Sequence, residues 1–288
     1  MAAATVVLLI VSGQSATAAP EPVDKTREVI DEALVAVGNE LTPSEVAIVP
    51  DAVSVTDETG SLDLGGVSID ITPLDVENSR VLARAEGVQA LSVLKEGSST
   101  AEFEFTVPNA ATVVPSNGGY DVMIDVEDIN ITIAHVAAPW AVDAEGVSLP
   151  TEYTFANGVI TQTVDTTGAT FPVVADPMIT LGLANAPQGP GFYLNMTGLM
   201  LKALGTGVIF AASIAPAVIC LTLDKIPHPL TRNVVRTLCG LFGAQTVAGI
   251  LDDLARNLKN STYKNTSCYQ TRLGSGKPFV ATSKSNCA

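Results

Sequence analysis

Histidine is almost missing from this chain. Its 288 residues include two, His135 and His228, and neither has a second imidazole nearby in sequence. The four cysteines show no C-x-x-C spacing, so the ligand sets that hold zinc are absent and no metal site is expected. Also absent are a G-x-S-x-G elbow, a phosphate-binding glycine loop and an H-E-x-x-H pair. Aromatic residues make up 5% of the chain, with a single Trp, which argues against a stacking platform for sugars. Carboxylates are too numerous for any pair to be singled out as an acid and base. His135 lies in an alternating strand and His228 between two prolines, and a hydrogen-bonded or solvent-facing role explains both. The sequence therefore supports no enzyme and implies no cofactor.

Basic residues are scarce in the first 180 positions: 27 Asp/Glu face 5 Lys/Arg there. Residues 181–288 reverse the balance, with 10 Lys/Arg against 3 Asp/Glu, and hold all four cysteines. The overall −15 hides an acidic half and a basic, apolar half. Opposite fields predict an intramolecular acidic–basic contact, or separate partners for each half. A cationic, apolar segment has an anionic membrane or another cell-envelope component as its natural target. Nucleic acid is excluded as a partner, because the acidic half repels phosphates and the basic residues are dispersed.

The first residues resemble a secretory signal. Val6–Val11 is its apolar centre, and Ala16-Thr17-Ala18 supplies the small residues of a cleavage site, with the cut expected after Ala18. No Lys or Arg precedes the apolar run, so we expect the true start to lie upstream of Met1. Export and an even cysteine count suit disulfides. The sequons at Asn130, Asn195, Asn260 and Asn265 are read as chance.

Asp24–Val37 places Val29, Ile30, Ala33, Leu34 and Val37 on one stripe and ends at Gly38, a short amphipathic helix. Beyond it the period becomes two, at Val67–Ile71, Ala101–Val107, Val122–Val126, Ile129–Ile133, Tyr153–Phe155 and Val159–Val164. Asn117-Gly118-Gly119 and Asn157-Gly158 separate such runs as hairpin turns. Leu74–Lys95 reads equally as a helix or as two short strands. The carboxylates Asp121, Asp125, Glu127 and Asp128 lack the EF-hand spacing, and a solvated strand face is the better reading.

A second pattern begins at Pro139-Trp140-Ala141-Val142-Asp143. It continues through Leu149–Tyr153 and Gln162–Asp165 to Phe171-Pro172-Val173-Val174-Ala175-Asp176-Pro177. This order resembles a family of secreted actinobacterial proteins of unknown function, over residues 100–180 and more loosely before them. The resemblance implies a β-rich N-terminal part closing in that signature, then a variable part with glycine-rich apolar helices. It carries no catalytic residues. Physically, Phe171–Val174 reads as a final strand, with Pro172 at its start or on an edge, and Asp176-Pro177 as a terminator.

Residues 181–191 contain the Pro/Gly-rich Ala184–Gly191 and read as a linker. Ala203–Leu223 then runs 21 residues without a charge, long enough to cross a bilayer as a helix, with Pro216 as a kink. Pro227-His228-Pro229 forces a turn into a second helix, Leu230–Lys259, whose apolar centre is shorter. Lys202, Lys225, Arg232 and Arg236 bracket the apolar stretch and are the candidate membrane or partner contacts. The same pattern fits a soluble hairpin packed on the acidic half. An antiparallel hairpin brings Cys220 to Cys239, and a Gly274–Gly276 turn brings Cys268 to Cys287, the favoured choice among three connectivities.

The expected fold is α+β. Signal residues 1–18 precede an acidic antiparallel β-rich domain with an N-terminal helix, residues 19–180. The linker 181–191 leads to a basic, disulfide-bonded helical hairpin region with a short β-like C-terminal loop, residues 192–288. Two functions follow. One is a secreted, bacteriocin-like precursor whose acidic part solubilises a membrane-active C-terminal module. The other is an uncleaved secreted or envelope-associated binding or structural protein.

Overall fold

Alternating apolar residues fold this chain into two stacked antiparallel sheets, and a helical pair extends the stack. The structure, a computed structural model, describes residues 25–39, 52–63, 67–127, 129–182, 187–259 and 262–287. The expected signal segment and Asp128 lie outside the described residues.

The smaller sheet contains β1 (Val53–Val55), β2 (Gly60–Asp63), β3 (Ser68–Pro73), β6 (Thr100–Thr106), β11 (Thr151–Ala156) and β12 (Val159–Val164). Its order is β1-β2-β3-β6-β12-β11. The larger sheet contains β4 (Ser79–Arg84), β5 (Gly87–Leu94), β7 (Ala111–Ser116), β8 (Gly119–Val126), β9 (Ile129–Val136), β10 (Ala141–Val142), β13 (Val173–Ala175) and β14 (Met178–Leu181). It is completed by β15 (Tyr193–Thr197), β16 (Cys268–Arg272) and β17 (Val280–Thr282). The path runs β10-β13-β5-β14-β9-β15-β16-β17, with β4 on β5, and with β8 on β9 and β7 outside β8.

β6 alternates strictly, with Ala101, Phe103 and Phe105 inward and the glutamates Glu102 and Glu104 outward. β5 and β9 are instead buried at every position, as strands covered on both faces must be. Leu74–Lys95 resolves into two strands, β4 and β5, after one turn of 3-10 helix. The hairpins fall where expected. Asn117 and Asn157 have φ of 50° and 53°, and Gly118 and Gly158 follow at 85° and 77°, the positive pair that a two-residue turn requires.

Helix α1 (Lys25–Ala36) buries Ile30, Ala33 and Leu34 against Leu82, Leu91, Val93, Val142 and Val174. Arg80 anchors it through Asp31 at 2.9 Å. Most of the remaining buried apolar residues share one core, which includes Leu62, Ile131, Leu194 and Phe279. The expected division at 181–191 is therefore not a division of the core. β14 and β15 both pair with β9, β14 along Ala134–Val136 and β15 along Asn130–Thr132. The connection between them leaves and re-enters through a narrow neck, where the Gly191 N–H bonds the Leu181 carbonyl at 3.2 Å. A Cβ on Gly182 would lie 1.9 Å from the Gly191 carbonyl oxygen, so no side chain fits there.

The 21-residue uncharged stretch is not one helix. α2 (Gly198–Ala212) begins at the Thr197 hydroxyl, which caps the Met200 N–H, and ends at Ser213. Pro216 opens a separate 3-10 segment, Pro216–Leu221, because a proline at an interior position would lose a helical hydrogen bond and clash. α3 (Pro229–Lys259) is long and apolar enough by composition to cross a membrane, yet Gly243 breaks it with φ 72° and ψ 167°. Both expected bridges are present, Cys220–Cys239 and Cys268–Cys287, with Cα separations of 5.7 and 5.8 Å.

α2 and α3 meet closely at Gly207, where an added Cβ would stand 2.0 Å from the Thr231 Oγ1. Gly207→Val is expected to force the helices apart and cost about 1–3 kcal/mol in chemical denaturation, as overpacking does. Gly240→Ala, at an exposed helical position with nothing within 4 Å, is expected to be neutral or to gain up to about 1 kcal/mol. Equal effects at the two sites would contradict the close packing.

Candidate functional site

The residues of the Trp140 and Phe171–Pro177 segments, far apart in sequence, converge at the edge where the two sheets meet. Ala141 and Val142 of β10 pair with Ala175 and Val174 of β13. β13 is flanked by β10 and β5, so it is an interior strand rather than an edge, and Pro172 precedes its first residue after a cis Phe171–Pro172 bond. Nor is it the final strand. β14 follows at once, and both pair with β5. Asp176-Pro177 is the step between them.

That step turns the Asp176 side chain into the interior, where it is 1% exposed. Its Oδ1 accepts the Trp140 N–H at 3.0 Å. The Tyr153 hydroxyl donates to the Asp176 carbonyl at 2.8 Å and lies 3.3 Å from Oδ1. Gln162, fully buried, donates its amide to the Trp140 carbonyl at 2.8 Å and to the Thr151 hydroxyl at 3.0 Å. Tyr153, Gln162 and Thr151 belong to the smaller sheet, and Asp176 and Trp140 to the margin of the larger. The signature is thus a polar pin between sheets.

The pin is under-satisfied. Asp176 Oδ2 and both amide atoms of Gln89 are enclosed without a partner of hydrogen-bond geometry, although Gln89 is near enough to favour the carboxylate. Burial dominates and pushes the Asp176 pKa up to about 7, against the opposing bonds from Trp140, Gln89 and Tyr153. Burial and the neighbouring Asp176 charge raise Tyr153 well above the usual phenol value.

Beside the pin, a cleft of about 340 Å³ opens between α1 and the Asp143–Gly146 loop, with Pro172 and Val174 in its wall. Asp143 shapes that loop. Its carboxylate accepts the N–H groups of Thr170, Val147 and Glu145 at 3.1, 2.9 and 3.0 Å. The bonds from Thr170 and Val147 hold its pKa below the usual carboxylate range.

A second buried pair was not foreseen. His135 Nδ1 lies 2.5 Å from Asp121 Oδ1, both side chains almost wholly enclosed. The expected solvated carboxylate face is thus broken at Asp121. Asp125 instead takes a bond from Thr112 at 3.3 Å, and Glu127 one from Asn233 at 2.7 Å. His228, in the Pro-His-Pro turn, is exposed, whereas His135 is buried. Among the described residues no group of three His, Cys, Asp or Glu is placed to hold a metal.

The four candidate cations are not equivalent. Lys202 is exposed, its ammonium bonding the Asn265 side chain at 2.6 Å. Lys225 is exposed on the 3-10 turn Leu223–Lys225, and Arg236 is exposed beside Asn233. Arg232 turns inward, donating two bonds to the Ile226 carbonyl at 3.2 and 2.8 Å, and so fastens the turn before α3. The ion pairs among the described residues each join groups of the same half. The contact between halves is made by strand pairing, by burial, and by neutral or singly charged bonds such as Asn130 to Asn286 at 3.0 Å.

Compared with protein-family models, with curated proteins and with solved structures, the chain matches none.

An acid whose folded pKa is raised binds more protons in the native state than in the unfolded one. The contribution of Asp176 is then complete below about pH 4 and is lost as the pH rises through about 7. Asp176→Asn, which keeps an acceptor for Trp140 and Tyr153, should remove that part of the fall in stability between about pH 4 and 7. Identical slopes for the two proteins in urea melts would show that the carboxyl is not held protonated.

Proposed function

We propose that this chain works uncleaved, as a secreted, envelope-associated binding or structural protein without enzymatic activity. The observation that carries the reading is the position of β15 between β9 and β16. Tyr193–Asn195 bond Thr132–Asn130 on one side, and Tyr193–Thr197 bond Arg272–Cys268 on the other. A module released at 181–191 would take three strands from the sheet. It would also bare Ile131, Ile133 and Ala134 together with Leu201, Leu204 and Leu238, all now buried in one core. Fully burying each such side chain is worth about 1.5–3 kcal/mol, so separation is strongly opposed.

Two disulfides with no free cysteine favour an oxidising compartment. The buried His135–Asp121 pair is closed to substrate, and His228 lies alone in an exposed turn, which favours a non-catalytic role. Kinship with the secreted actinobacterial family stays part of this proposal. It is supported by the way Trp140, Tyr153 and Asp176 meet in a single pin.

The neck at Gly182 and Gly191 makes the test simple. A specific protease site inserted between Ala184 and Asn185 is expected to give a nicked protein that elutes as one species and comes apart only in denaturant. Two soluble, separately folded fragments after nicking would favour the precursor instead.

A further inference from the structure

α2 wears the wrong surface for a helix facing water. α1 shows the ordinary pattern, with Arg27, Glu28, Asp31 and Glu32 on its exposed side. α2 packs Leu201, Leu204, Val208 and Ala211 into the core, yet its outer stripe is Leu199, Ala203, Thr206, Ile209 and Phe210. The 3-10 segment that follows α2 in the chain, tied to α3 by Cys220–Cys239, exposes further apolar side chains, with Val218 39% and Leu221 80% exposed. Of nine large hydrophobic side chains exposed among the described residues, five lie between Leu199 and Leu221. Concentrated apolar surface of this kind marks an interaction site.

Charge selects the occupant. From Pro177 to Leu223 there is no acidic residue and one cation, Lys202, in a chain of net charge −15. In the chain, Lys202 stands near the start of the stripe and Lys225 beyond its end, next to Asp224, and all three are exposed. A second copy docking face to face would set cations against cations with almost nothing to pair them. An anionic lipid surface pairs with both features. The apolar stripe enters the acyl boundary and the flanking ammonium groups meet phosphate, as in interfacial helices. We infer that the α2 face, from Leu199 to Leu221, is a docking surface for an anionic lipid bilayer, on which the helix lies flat without crossing it. This rests on the uncleaved, envelope-associated reading and names its partner.

The test uses the full-length oxidised protein with vesicles of phosphatidylcholine, with and without phosphatidylglycerol. Wild type is expected to float with the anionic vesicles, to bind less as salt rises, and to leave trapped dye inside. Ile209→Ser with Phe210→Ser should weaken partitioning at least tenfold while leaving the thermal midpoint nearly unchanged, since both side chains are exposed. Lys202→Glu with Lys225→Glu should weaken binding to anionic vesicles and flatten its salt dependence, which holds even if the apolar variant folds poorly. No flotation of wild type, or flotation indifferent to both variants, would overturn the proposal. So would a dimer in sedimentation velocity that the serine variant dissolves while vesicles stay bare. Because the intact chain is used, failure to bind lipid sinks this surface alone, whereas fragments parting after a nick sink the uncleaved reading alone.

Discussion

β9 holds the fold together because it is paired on both edges at Asn130–Thr132 and Ala134–Val136, with the Ile133 carbonyl between them taking the Gly182 N–H. β8 bonds one edge, while β14 and β15 divide the other between its two ends. A strand so placed has all its residues buried, and its backbone groups have no water to turn to. Any arrangement that removed β15 would leave donors and acceptors of Asn130–Thr132 without partners in an apolar setting, which is more costly than losing an exposed edge. The C-terminal third of the chain is therefore committed to the sheet before its helices are considered.

This commitment changes the meaning of the charge division. Opposite fields suggested electrostatic attraction between two bodies, but surface ion pairs are worth little, and here none of those among the described residues crosses the halves. Backbone ladders and the shared core make the join instead. The segregation of charge then acts outward. Acidic strand faces repel anionic surfaces, whereas α2 carries no acidic residue and leaves Leu199, Ile209 and Phe210 exposed.

The strands with one wet face were legible because Phe103 and Phe105 alternate with glutamates, and the turns because Asn-Gly pairs permit positive φ. The disulfides were legible from equal spacing about two turns. β5 gave a weaker signal, since burial on both faces erased its alternation, whereas β9 was read from Ile129, Ile131 and Ile133 although Asn130 and Thr132 between them are buried as well. The His135–Asp121 pair was hidden by one residue. Reading the hairpin from the two-residue connection after Val126 sets Asp121 opposite Ala134. A bulge between Val122 and Met123 shifts the register and brings His135 across instead. The signature was visible as a string, but its convergence was not, because Trp140, Tyr153 and Asp176 meet only after two sheets stack. The proline at position 216 did predict a break in the apolar stretch. What it produced was a helix end rather than a kink, and the exposure of Leu221 depends on that end.

The central claim is that the segment after the neck belongs to the same cooperative unit as the strands before it. Native-state hydrogen exchange across a denaturant series tests this directly. The amides of β9 at Asn130–Thr132, of β15 and of β5 should open with one common free energy and one common denaturant dependence. If β15, β16 and α3 exchanged through a separate opening of clearly lower free energy, while β5 and β13 stayed protected, the C-terminal region would be an independent module and the claim would fail.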